Sequence, residues 1–95
     1  LLACAAAGCA TAPPVQEMSD ARQAIAAARE AGADSLAIVQ LAEAEQLLDS
    51  AETYLATGSS GGYWQARKAA ISAKEVAFEA LLTSRDAHDA GSAGT

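Results

Sequence analysis

Few side chains in this sequence can do chemistry, and their spacing limits what they can do together. The one histidine, His88, stands between Asp86 and Asp89, a trio of metal-ligand types. Residues one and two apart on a helix point in different directions, so the three do not converge on an ion. His88 reads instead as a solvated ring at a helix C-terminus, where the helix dipole favours a cation. Glu45 and Asp49 lie one helical turn apart on one face. Paired carboxylates do acid–base work where a pocket or a neighbouring base drives their pKa values apart. The residues around them supply neither, so they read as solvent-facing charges. Ser59-Ser60, within a glycine-rich stretch, lacks the Gly-Lys-Ser/Thr element and the flanking strand of a phosphate cradle. The expectation is a non-enzyme, with no metal and no cofactor.

Cys4 and Cys9 are the remaining reactive groups, and both precede any polar chain. A disulfide between them would close a tiny loop with no core to staple. The stretch LLACAAAG ahead of Cys9 is apolar and uncharged, yet far short of the roughly 20 residues that span a bilayer. It reads as the end of a signal-peptide apolar region. Small residues directly before a cysteine suit the peptidase that matures lipoprotein precursors, and Ala6-Ala7-Gly8-Cys9 resembles a bacterial lipobox. Leu1-Leu2-Ala3-Cys4 carries the more usual leucine three residues before its cysteine, which makes Cys4 a rival. Cys9 is preferred because Ala10-Thr11-Ala12-Pro13-Pro14 follows it, as in the mature start of many lipoproteins. Residues 1–8 therefore read as signal peptide, Cys9 as the lipidation site, and 9–14 as a tether stiffened by its prolines. Ala10 in place of Asp resembles the sorting rule of enteric bacteria for the outer membrane. The expected location is its periplasmic face in a Gram-negative cell.

Charge narrows the partners. Six basic against twelve acidic residues give a net charge of −6, which opposes binding to nucleic acid, where clustered cations must neutralise phosphates. It equally opposes adhesion to anionic headgroups. Attachment to a membrane would have to be apolar or covalent, hence the lipid anchor.

The body that these groups decorate reads as all-α. Hydrophobic residues reach 52%, mostly alanine, while aromatics are 4%. Alanine is the strongest helix former and loses no side-chain entropy, but it builds a thin core. One domain is expected over 15–89, an Ala-rich antiparallel three-helix bundle or helical hairpin with disordered N- and C-terminal ends. Val15, Met18, Ala21, Ile25 and Ala28 recur at helical spacing and predict a first helix over 15–31. Gly32 suits its C-cap, and Asp34 or Ser35 the next N-cap. The second helix is predicted over 34–57, with the seam Ala37, Leu41, Ala44, Leu48, Ala51 and Leu55. Leu47 and Tyr54 widen the seam on one side and Ile38 on the other, which suits a middle helix with two neighbours. Gly58 to Gly62 break the chain. The third helix is predicted over 63–88, with the seam Tyr63, Ala66, Ala70, Ala73, Ala77, Ala80 and Ser84. Residues 90–95 read as a loose tail.

Two surface features follow from this arrangement. The second helix carries Asp34, Glu43, Glu45, Asp49 and Glu52 and no cation, while the third opens with Arg67, Lys68 and Lys74. Antiparallel docking would set Glu52 and Asp49 near Arg67 and Lys74, fixing register more than adding stability. Trp64, Ile71, Phe78 and Leu82 form a second apolar stripe, on a face turned away from the alanine seam. Either the first helix covers it through Val15, Met18 and Ile25, or it meets a protein partner or a second copy.

The pattern of Ala31-Gly32-Ala33, then Ala37, Leu41, Ala44, Leu48 and Ala51, then Tyr63, Ala66, Ala70, Ala73, Ala77 and Ala80, resembles the bacterial lipoproteins of domain-of-unknown-function family 4398. The likeness covers 24–87. It departs from the family at Ile38, where proline is frequent, and at the turn expanded to Gly58 through Tyr63. The resemblance implies a location and a helical-hairpin fold, and no activity. The expected role is that of a lipid-anchored structural or interaction protein, an adaptor or envelope spacer. The alternative is a small-ligand or peptide-binding module using a groove between the first and third helices.

Overall fold

The computed structural model describes residues 12–94. The segment 1–8 read as signal peptide, both cysteines and the first part of the expected tether lie outside the described residues. Among the described residues, four helices follow in order: α1 Val15–Glu30, α2 Ala33–Leu36, α3 Ile38–Ala56 and α4 Ser60–Gly94. The fold is all-α, as the periodicity requires. Consecutive long helices run antiparallel, and α1 and α4 lie side by side in the same direction. The molecule is flat, about 58 × 27 × 14 Å, because α4 packs along both α3 and α1 while those two meet only lightly.

The helix with two neighbours is therefore the third long one, and not the second as the leucine pattern suggested. Its seam explains why. Ala66, Ala70, Ala73, Ala77, Ala80 and Ser84 are all fully buried. Side chains this small let two backbones close on one helix, gaining dispersion contacts over a long line. Ser84 keeps its hydroxyl satisfied by donating to the Ala80 carbonyl at 2.8 Å. The opposing faces supply most of the bulk: Met18 and Ile25 from α1, Leu41 from α3, with Leu47, Leu48 and Leu55 partly buried beside them and Val76 and Leu81 of α4 packed at the edge.

In α1 the seam begins one residue earlier than the sequence suggested. Pro14 is fully buried and Val15 is 70% exposed. Spacings of four and three from Pro14 run through Met18, Ala21, Ile25 and Ala28, and Val15 falls outside that line. The Pro14 carbonyl accepts the Met18 N–H at 3.0 Å, so the packed body starts at Pro14. The second proline of the expected tether belongs to the domain.

The expected helix over 34–57 is broken at Ala37, whose φ of −147° and ψ of 53° leave the helical region. Among the described residues, no backbone bond ties Ile38, Val39 or Gln40 to the preceding turn; the ladder resumes with Leu41 donating to Ala37 at 2.9 Å. Ala33 and Ala37 are both buried, as is Leu41. Two steps of four on a continuous helix would swing Ala33 about 80° away from Leu41, and the break re-aims it into the core. Gly32, at φ 94°, turns the chain between α1 and α2, a conformation that glycine adopts without strain.

The helix α4 starts earlier and ends later than the predicted 63–88. Ser59 is its N-cap: the hydroxyl accepts the Gly62 N–H at 3.0 Å and the carbonyl accepts that of Tyr63 at 2.9 Å. This capping draws Gly61 and Gly62 into the first turn. At the far end the helix continues to Gly94, into the segment 90–95 read from sequence as a tail, since extending an existing helix costs little per residue.

Candidate interaction face

Every residue of the second apolar stripe is open to solvent. Trp64 is 57% exposed, Ile71 38%, Phe78 46% and Leu82 57%. α1 does not cover them, because Met18 and Ile25 point into the alanine seam and Val15 points away. Lys68 and Glu75, both exposed, complete the row: 64, 68, 71, 75, 78 and 82 follow spacings of four and three. That is the spacing of a coiled-coil seam. Thus α4 carries two seams, an alanine one turned inward and an aromatic–aliphatic one turned outward. The sequence reading found the apolar members and missed the two charged ones, which the same spacing would have picked out.

Beside the row runs an open groove between α1 and α4, of about 320 Å³, lined by Asp20, Gln23, Ala24, Ala27, Lys74 and Phe78. It has the place foreseen for a groove between the first and third helices. Ala24 and Ala27 make its α1 wall low, and Phe78 belongs to both the groove and the row. A second depression of about 240 Å³ on α3 is formed by Asp49, Ser50, Thr53 and Tyr54.

Other chemical groups serve the frame. Arg22 of α1 pairs with Glu52 of α3 at 3.1 Å, Arg29 pairs with Glu45, and Arg67 of α4 reaches Glu17 of α1 at 3.5 Å. The expected pairing of Glu52 and Asp49 with Arg67 and Lys74 is thus replaced. The cations of α1 take the α3 carboxylates, and α4 turns its own toward α1. His88 also works across the fold: Nε2 lies 3.0 Å from the Ala31 carbonyl. The ring therefore serves a helix C-terminus as anticipated, but that of α1 instead of its own. Asp86 and Asp89 are exposed. Among the described residues, no three His, Cys, Asp or Glu side chains are grouped to hold a metal ion, and no helix is long and apolar enough to cross a membrane.

No curated protein and no solved structure matches this chain significantly. The model of a domain of unknown function, DUF4398, matches residues 16–91. The match runs from the first turn of α1 into the last turns of α4, so it takes in the break at Ala37, the alanine seam and the outward row together. The chain belongs to the DUF4398 family.

Proposed function

We propose that this chain is a structural or interaction protein of the cell envelope, an adaptor or spacer held at the periplasmic face of the outer membrane by a lipid on Cys9. The observation that carries the interaction role is the open row Trp64–Ile71–Phe78–Leu82 on a helix whose opposite side is fully packed. Contiguous exposed apolar residues on one face are the usual mark of a docking surface, and tryptophan is the residue that most often anchors one. The tether rests on Cys9 in its setting of small residues and on a net charge of −6, which leaves acylation as the route to a membrane. Two experiments test the two halves. In a Gram-negative host, a clickable palmitate analogue should label the wild type and not Cys9→Ser; label lost only with Cys4→Ser would move the site. Trp64→Ala should abolish crosslinks from this face in cells with helicity and the Tm of dilute protein intact, whereas a large fall in Tm at high dilution would mean the ring is core.

A second reading, a small-ligand or peptide-binding module, is favoured by the groove between α1 and α4, where Asp20 and Lys74 offer opposite charges beside Phe78. A monomer that binds short zwitterionic peptides, and loses them with Lys74→Ala, would favour it over the adaptor.

A further inference from the structure

We infer that the outward row of α4 is the interface of an antiparallel dimer of this chain, with a two-fold axis crossing α4 beside Ser72. The inference deepens the interaction role and does not depend on acylation. Three features argue for a second copy. The first is the length of the seam: from Trp64 to Leu82 the row covers about 27 Å of helix at 1.5 Å per residue, with apolar residues at each end and in the middle. A two-fold interface must be self-complementary, and on the stated axis the stretches 64–79 of the two copies face each other.

The second feature is charge. Lys68 and Glu75 are the ionisable members of the row, and both are exposed. Antiparallel copies related beside Ser72 bring Lys68 level with the partner's Glu75, twice over. Parallel copies would set Lys68 against the partner's Lys68 and Glu75 against the partner's Glu75, like charges in a closing seam. Such a pair selects orientation in coiled coils. The cations on the α1 flank have neighbours within the chain: Arg67 reaches Glu17 at 3.5 Å, and Lys74 shares the groove with Asp20.

The third feature is shape. The same axis carries Trp64 to the level of the partner's residue 79, beside the partner's Phe78. That is where Ala24 and Ala27 leave the low wall of the groove of about 320 Å³. The largest side chain of the row thus meets a recess beside it, as an anchor residue meets its pocket. Ile71 packs close to the axis, next to its own symmetry mate.

The test uses the full chain with Cys4 and Cys9 replaced by serine. A mixture of Lys68→Cys and Glu75→Cys chains should give the mixed disulfide on mild oxidation, and neither variant alone should crosslink to itself. Sedimentation of the parent should show a monomer–dimer equilibrium. Lys68→Glu should weaken it about tenfold or more, and Lys68→Glu with Glu75→Lys should restore it. Self-crosslinking of Lys68→Cys would mean a parallel pair and overturn the inference. So would a parent that stays monomeric at all concentrations. If the chain stays monomeric while Trp64→Ala still abolishes crosslinks to another protein in cells, the dimer falls and the interaction role stands.

Discussion

Gly62 occupies a place where a side chain has no room. A Cβ there would lie 2.6 Å from the Tyr54 carbonyl oxygen and overlap the Thr57 hydroxyl, because the last turn of α3 and the first of α4 cross at this point. Gly61, one residue earlier in the same helix, meets nothing within 4 Å. The two glycines should therefore behave oppositely. Gly62→Ala should lower stability by about 1–3 kcal/mol, the usual cost of overpacking. Gly61→Ala should hold or raise it by up to ~1 kcal/mol, because alanine restricts the unfolded chain and favours helix. Urea denaturation of both variants checks the pair, and equal effects would refute the close crossing. At this scale the sequence was only partly legible. The glycines read as a break, which is right for Gly58 at φ 69°, but spacing cannot tell a glycine needed for its φ from one needed for its missing Cβ. His88 had the same ambiguity. Its type indicated a helix C-terminus, and only the fold could say whose. His88→Ala should cost about 0.5–1.5 kcal/mol, the net worth of one hydrogen bond, whereas Asp89→Ala, on the exposed side of the last turns, should cost nothing measurable.

Elements were legible wherever one face repeats without interruption. From Ala66 to Ser84 the inward seam of α4 was read residue for residue, because alanine recurs there at spacings of three and four; Tyr63, the first residue of the predicted seam, is only partly buried. The break at Ala37 was not legible, since no glycine or proline stands between Ala33 and Leu41. Tertiary packing made it: three buried residues spaced four apart drift off a common line unless the backbone is reset. The reset leaves Ile38 at the first helical position of α3, exposed and outside the backbone ladder. Proline is at home there, with no N–H to waste and φ already set. Ile38→Pro should therefore leave the thermal midpoint within a few degrees, while Ala42→Pro, inside α3, should cost ~3 kcal/mol or more. Charge pairing between elements was misassigned because α1 was left out of it. Arg22→Glu should be mildly destabilising, and Glu52→Arg in that background should recover the loss, with a coupling of at most ~1 kcal/mol for so exposed a pair. No recovery would remove that ion pair from the account of register.

The whole molecule is a thin layer, about 14 Å in its shortest extent, and most of what it buries is alanine. A small domain with so little apolar area per residue stands near the margin of independent stability. The outward row of α4 therefore bears on folding as well as on binding. Anything that binds the folded chain and not the unfolded one adds stability that grows with its concentration. If that ligand is a second copy, the thermal midpoint must rise with the concentration of the protein itself. For a domain of this size each 1 kcal/mol of linkage should move it by about 4–8 °C. The wild type should show this rise across a hundredfold dilution series followed by circular dichroism. Trp64→Ala should flatten the series while matching the wild type at the dilute end, because the ring is exposed in the single chain. A wild-type midpoint independent of concentration would show that the thin layer is stable alone. A Trp64→Ala midpoint lowered equally at every dilution would show that the indole stabilises its own chain, and the row would then belong to the core of one molecule.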